Sequence, residues 1–545
     1  MSSALRAAGV ALLAITATAS STPAKDWTSL KLLTKSADSQ VQTVIDGKNA
    51  SLTGSPRSLT REVRRLVTPF VWPNSTYYHD ESLLPHIEEM LSVLVEVQHD
   101  DGTYTVGNRH SPPDTGFLIE DFGIMVRILE RDDHEASQPF AKAMRDILKK
   151  AAPGLAKGGI HTPNHRWKIC SALARISNII EDASLIKRID EWLAEGIDID
   201  ADGIYSERSP NYYSAVSNPS LLTIAHELNY TELLALLDNN GRFAAMARLI
   251  EKRVGTQLGD FLGNIIERPE LAAELPKPKQ PFSDFKKHYK SAGLVRARRG
   301  KLTVSAFGGS DWYTMDGKKA EFYNRMGSGL STNPTMFRAW NGKAVLEAVR
   351  LSASFFSMGH FRSNGVELSK DGVIKLGSEI EVPYYLPIPA DKRDDNGTYA
   401  LSKSVDGRFY AMLDFTNRPT SVRRLKTDVE IKPTKKGYDL DFEVTGEDNV
   451  ELTFELTFRE GGKFKGVKEI LDSDNTTIYH LIEGKGEYSV GDDKITFGPG
   501  NGKGPIAADA GEQYSWHGGN LTLQGNHVYI TGTTPLKYTL NLGFA

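Results

Sequence analysis

The segment His161-Thr162-Pro163-Asn164-His165-Arg166-Trp167 brings an amide, two imidazoles and a guanidinium together in one short stretch. Thr162 is a good N-cap residue, and Pro163 then takes the first helical position, where a missing N–H costs nothing. Ile169, Cys170, Leu173, Ile176 and Ile180 follow at helical spacing and predict a one-faced helix. Asn164 and His165 therefore fall in its first turn, among unpaired N–H groups and a partial positive charge. Such a helix start is a natural seat for a carboxylate. Asn164 can donate to that anion. The same field disfavours imidazolium, so His165 is expected to be neutral and able to act as a base. The plain alternative is an N-terminal turn carrying ordinary polar residues. His161 and His165 have the spacing of a helical zinc pair. Pro163 lies between them, His161 precedes the cap and no His-Glu-x-x-His pattern occurs, so no metal or other cofactor is expected.

Three further stretches carry candidate chemistry. Asp202 to Tyr213 is polar and aromatic, with Glu207, Tyr212 and Tyr213. Tyrosine acts as a general acid or base when a neighbouring cation lowers its pKa, and its ring offers a flat face to a sugar. The alternative is a tyrosine-rich loop packed on the core. Phe356 to Asn364 puts His360 and Arg362 at the end of an apolar strand, with Arg338 and Arg350 nearby as possible carboxylate clamps. Asn108 to Thr115 precedes a helix expected near Gly116, capped by Asp114 or Thr115; Arg109 and His110 are candidates to line the same cleft. Trp167 reads as core more than as a sugar platform.

The elements that must position these residues divide into two halves. From Asp26 to about Pro276, apolar residues recur with helical period, as in Leu83, Ile87, Met90, Leu91 and Leu94, or Phe140, Met144 and Ile147. Short Gly, Pro, Asp and Asn loops separate the stripes, and such helices pack as antiparallel pairs. The Pro/Lys-rich stretch Glu274 to Phe282 marks a boundary. Beyond it, alternating runs such as Leu302 to Phe307, Val373 to Val382, Tyr438 to Val444 and Val450 to Phe458 predict a large antiparallel sandwich. We expect a leader over 1–24, a helical domain over 25–280 and a β-sandwich over 281–545.

The chain has 545 residues, 25% charged and 40% hydrophobic, with a net charge of −4. There is no basic footprint for nucleic acid, and a polyanion must be met by a local cleft. Arg6, the apolar run Ala7 to Ala19 and the small residues Ala17-Thr18-Ala19 form a secretory-signal pattern. The run is too short to span a bilayer, so a secreted or periplasmic protein is expected. Cys170 is the only cysteine, which excludes an intrachain disulfide and makes it a buried small hydrophobe on its helix.

In this order the pieces resemble polysaccharide lyases of the heparinase II/III-like and oligoalginate-lyase type. The resemblance implies an incomplete (α/α) toroid followed by an antiparallel β-sandwich. Asn164-His165 looks like that family's carboxylate-neutralising asparagine with its adjacent histidine. Glu207-x-Ser209-Pro210-x-Tyr212 looks like the segment bearing the catalytic tyrosine, and His360 would stand for the histidine of the β domain. The chemistry implied is β-elimination on an acidic polysaccharide or oligosaccharide. Asn164 and His165 neutralise a uronate carboxylate, Tyr212 or a histidine takes the C5 proton, and Tyr212 protonates the departing O4. Arg109, His110, Arg166, Glu207, Tyr213 and Arg362 would contact substrate. Two rivals remain open: a glycoside hydrolase, for which Asp114, Glu120, Asp121 and Glu207 are the candidate carboxylates, and a non-catalytic glycan-binding protein.

Overall fold

The structure, a computed structural model, describes residues 28–199, 205, 216–230, 258–269, 284–290, 292–308, 334–356, 360–393, 396, 418–471, 477–504 and 524–545. The chain forms two compact units that meet in sequence between Gln280 and Pro281.

The first unit is helical. Its described helices are α1 (Thr28–Leu52), α2 (Pro56–Val71), α3 (Leu84–Glu96), α4 (Pro112–Glu130), α5 (Ser137–Lys157), α6 (Asn164–Ile179), α7 (Ile186–Leu193), α8 (Asn218–Leu228) and the short α9 (Leu262–Glu267). A small hairpin, β1 (Tyr104–Val106) and β2 (Asn108–Ser111), leads into α4. Helix α2 packs on α4, α4 on α6 and α6 on α8, while α1 and α3 back α2, α5 backs α4 and α7 backs α6. This is the double layer of an incomplete α/α toroid, and burial distinguishes the layers. Helix α3 buries one stripe, Ile87, Met90, Leu91 and Leu94, whereas α4 and α6 are buried almost all round.

That last feature corrects the one-faced helix expected after Pro163. The stripe Ile169, Cys170, Leu173 and Ile176 is buried, but so are Lys168 and Arg175 on the opposite face and Arg166 at the N-terminal end of the stripe itself. A buried charge must be paired, and each of these is. Lys168 pairs with Glu120, Arg166 with Glu195 and Asp198, and Arg175 with Glu267. Around Arg175 a wider network closes the inner layer. Arg127 on α4 makes a bidentate pair with Glu227 at 2.6 and 2.7 Å and reaches Glu267 at 3.2 Å, and Arg268 reaches Glu227 at 2.9 Å. Burial alone would raise the Glu227 carboxyl; the guanidiniums of Arg127 and Arg175 outweigh it and hold it below its usual range.

The second unit is a sandwich. One sheet orders its strands β13 (Lys463–Lys465), β16 (Gly486–Val490), β17 (Asp493–Gly498), β19 (Leu536–Phe544), β11 (Gly437–Gly446), β10 (Thr420–Pro433), β9 (Ile374–Tyr385) and β8 (Glu367–Leu368), and the other β14 (Lys468–Leu471), β15 (Thr477–His480), β18 (Asn526–Thr533), β12 (Glu451–Phe458), β7 (Ala344–Ala353), β6 (Phe337–Asn341), β5 (Leu302–Phe307), β4 (Leu294–Arg299) and β3 (Phe285–Tyr289). All pairings are antiparallel except β15 on β18. The inner faces meet through Phe442 of β11 against Phe454 of β12, ring centroids 4.8 Å apart, within one continuous buried cluster. At Gly437 an added Cβ would lie 1.7 Å from the Leu542 carbonyl oxygen, so the close approach of β11 and β19 there admits only glycine.

Candidate active site

Four inner helices start in the same way, with a small polar residue and a proline: Ser55-Pro56 for α2, Ser111-Pro112 for α4, Thr162-Pro163 for α6 and Asn218-Pro219 for α8. The first three starts come together. Arg57 of α2 lies 3.7 Å from Asp114 of α4, and its guanidinium stacks 3.6 Å over the ring of Phe117. Phe117 stands edge-on to His165 of α6 at 6.5 Å, and the Lys168 ammonium lies 4.6 Å above the same ring. Three helix N-termini meet here with partial positive charge, and the Arg57–Asp114 and Lys168–Glu120 pairs stand beside them.

Helix α6 begins one residue later than expected, with Pro163 in the cap position and Asn164 as its first residue. The Thr162 side chain does no capping; its carbonyl accepts the His165 N–H at 3.2 Å. In α4 the cap is Ser111, whose hydroxyl oxygen accepts from the Asp114 N–H at 3.3 Å and whose O–H donates to the Asp114 carboxylate at 2.7 Å. The expected start near Gly116 is thus four residues late, because Pro112 and Pro113 can open a helix they could not continue.

Asn164 is buried, and His165 is half-buried with its ring 4.7 Å from that of His161. Burial pushes the His165 imidazole down to about 4; the neighbouring His161, Arg57 and Lys168 add to the shift, and Asp114 opposes it. Among the described residues its Nδ1 has no hydrogen-bond partner. His165 is thus a neutral imidazole among three helix starts, which is the state a proton acceptor needs. Between pH 4 and 6.5 the unfolded chain binds this proton and the folded chain does not, so the His165 contribution to stability falls as pH drops through that window. In activity, the acid limb assigned to His165 is expected near pH 4 instead of 6.5. An NMR titration of its Cε1 proton checks this; a midpoint above about 6, the range of an unperturbed imidazole, would refute it.

The other sequence candidates fall into groups. Asn108 of the hairpin reaches His161 at 3.4 Å and so joins the α6 start. Arg109 and His110 are exposed on β2. His110, with φ of 46°, stacks on His99 at 3.9 Å and faces the Asp101 carboxylate at 3.1 Å, at the foot of the hairpin. Arg166 is held by Glu195 at 2.9 Å and Asp198 at 3.0 Å, and Trp167 is fully buried with its indole N–H on Asp198. Arg166→Ala is therefore expected to lower the melting temperature while leaving KM within about twofold, since a residue whose charge is already paired has little to give a ligand. A tenfold rise in KM would put it on the substrate instead. Glu207, Tyr212 and Tyr213 lie outside the described residues. Tyr205, in the same stretch, is buried and donates its hydroxyl to Asn218 Oδ1 at 2.8 Å.

In the second unit, His360 pairs with Ser352 as an isolated bridge just beyond β7 and lies 3.8 Å from Glu455 of β12. Glu455 also contacts His527 of β18 at 3.1 Å, and its register partner on β7 is Arg350. Burial lowers the His360 pKa, and Arg350 and Arg362 add to this while Glu455 opposes it. Burial would raise Glu455, but His360, His527 and Arg350 hold it well below the carboxylate range. Arg362 is buried and donates to the His360 carbonyl at 3.2 Å. Arg338 is taken up by Glu347.

No family model and no curated protein matches the sequence. Among solved structures, the chain is similar to the chondroitin AC lyase of Streptomyces coelicolor A3 in complex with chondroitin sulphate. Identity is 11% over 94% of this chain and 79% of that one, with a TM-score of 0.48. A heparan sulfate lyase mutant from Pedobacter heparinus matches at 10% identity over 89% of this chain and 76% of its own, TM-score 0.38. A Paenibacillus xanthan lyase matches at 10% identity over 86% of this chain and 51% of its own, TM-score 0.36.

Sequence reasoning passed over Arg57, Phe117 and Lys168, which complete the cluster around His165. A signal for Arg57 was present: Ser55-Pro56 repeats the polar-proline start of α4 and α6, so Arg57 occupies the first turn of a matching helix.

Proposed function

We propose that this protein is an exported polysaccharide lyase that cleaves a uronic-acid-containing glycan by β-elimination. The observation that carries the reading is the gathering of the α2, α4 and α6 starts, with Arg57, Asn164 and a neutral His165, into one anion-seeking corner. In the reaction the C5–H bond breaks and its electron pair forms the C4–C5 double bond as the C4–O4 bond breaks. The difficulty is the negative charge that spreads onto the uronate carboxylate when C5 loses its proton. Donors fixed in place before the reaction stabilise that charge without reorganising. Asn164 is the amide donor, and Arg57 with the helix starts supplies the field. Tyr212, or His165 for the opposite stereochemistry at C5, accepts the proton, and Tyr212 returns one to O4. The leader pattern at the N-terminus supports export; no described helix is long and apolar enough to cross a membrane.

The hydrolase alternative needs two carboxylates flanking the scissile bond. Glu120 is buried against Lys168, and Asp121 is bound to Arg64 at 2.6 Å. Burial would raise the Glu120 carboxyl, but Lys168 and Arg175 keep it ionised, the wrong state for a general acid. These pairings favour elimination.

The test is a panel of uronate polysaccharides assayed at about 235 nm, where an unsaturated uronate absorbs, with Tyr212→Phe as control. A rise on one glycan, lost in the variant, supports elimination. New reducing ends without absorbance would move the assignment to hydrolysis. Binding without either product would make this a glycan-binding protein.

A further inference from the structure

At the other ends of α2 and α4 the chain assembles a second cluster, of a different kind. His79, in the turn after α2, directs Nε2 at Asp132 Oδ1, 2.9 Å away, and at Asp133 Oδ1, 3.9 Å away. The three donor atoms all lie within 4.8 Å of one another. Ligand atoms sharing a zinc ion at about 2.0–2.2 Å stand about 3–4 Å apart, so small side-chain adjustments bring this set around one ion. We propose that His79, Asp132 and Asp133 form a binding site for a divalent cation of the zinc class, with water in the open positions.

The surroundings fit a ligand set better than a lone ion pair. His79 is held in the left-handed region at φ of 51°, a conformation uncommon for histidine, by its N–H on the Phe70 carbonyl at 2.9 Å. Its ring is clamped by Tyr78, stacked at 3.8 Å, and by Phe70 and His134. The Asp132 carboxylate is fixed through its second oxygen, which accepts from the Ser137 hydroxyl at 2.5 Å and the His134 N–H at 3.3 Å; Oδ1 is left to face His79. Such outer contacts orient metal ligands. His134 is not a ligand: its Nδ1 accepts the Ala136 N–H at 3.2 Å, so Nε2 carries the proton, 3.8 Å from Glu81. Asp132 and Asp133 follow directly on α4, and His79 is tied to the last turn of α2. Helix C-termini present carbonyl oxygens and partial negative charge, which favour a cation. Imidazole with carboxylates suits zinc more than calcium or magnesium.

The site lies at the ends of α2 and α4 opposite to those that carry the candidate active site. The experiment is isothermal titration of the full-length, chelator-stripped protein with zinc chloride, paired with thermal melting. Asp133→Ala and His79→Asn are the variants. Asp133 is 90% exposed, so its removal leaves the fold intact, and asparagine tolerates the left-handed backbone at position 79. One zinc ion per chain is expected, with a raised melting temperature, and each variant should weaken binding by at least the roughly 10–100-fold that losing an outer-shell partner alone costs. Calcium chloride should bind far more weakly. No saturable zinc binding, or binding unchanged in both variants, would overturn the proposal and leave His79–Asp132 as a hydrogen-bonded ion pair.

Discussion

Under the proposed β-elimination, replacing Asn164 with alanine is expected to lower kcat by about 10²–10³-fold, the usual cost of removing one prepositioned donor to a developing oxyanion. Asn164 is the first residue of α6 and buried, so it is placed by the helix and not by a mobile loop. Its effect should appear mainly in kcat, because the charge it meets is fully developed only as the C5 proton leaves. Asn164→Asp is the sharper variant. It keeps the side-chain shape but sets a carboxylate against the substrate carboxylate, and so should raise KM as well. Product formation read at about 235 nm checks both, with circular dichroism to confirm folding. A loss of less than about threefold in the alanine variant would remove Asn164 from the chemistry, since one general hydrogen bond alone is worth more.

Removing Glu267 is expected to destabilise the helical unit by about 3–5 kcal/mol, the cost of leaving buried charge without its partner. Glu267 is 3% exposed and neutralises Arg175 of α6, while also receiving Arg127 of α4. In Glu267→Ala, three guanidiniums, those of Arg127, Arg175 and Arg268, would be left to crowd on Glu227, which each already approaches. For a unit of this size the loss corresponds to a fall on the order of 10 °C in its melting transition. Calorimetry of the full chain reads it directly. Arg175→Met with Glu267→Leu should recover much of the loss, because a buried pair can be exchanged for apolar packing at little cost. A shift below about 2 °C in Glu267→Ala would mean that water, and not protein, surrounds that carboxylate in the folded chain.

The helical and β halves were legible because each keeps one period over long stretches. Ile87 to Leu94 repeats at helical spacing and lies in α3, and Leu302 to Phe307 alternates and is β5. Where the pattern was mixed, boundaries slipped. The run from His527 to Tyr538 reads as one strand, yet Thr534-Pro535 divides it into β18 and β19, which join opposite sheets, since proline cannot supply the ladder's N–H. The leader expected over 1–24 lies outside the described residues.

What the sequence determined by itself was local. A polar residue and a proline open a helix, so Asn164 and His165 had to lie at a helix start, give or take one residue, whatever the fold. Tertiary structure decided which of these starts would meet. Arg57, Phe117 and His165 stand in three helices, and only packing of α2 on α4 and of α4 on α6 places a cation and a ring beside that imidazole. Burial then decides its protonation, because desolvation depends on what surrounds a group and not on its neighbours in the chain. The same holds for His79 and Asp132, 53 residues apart. No local spacing rule joins them; the ends of two packed helices do.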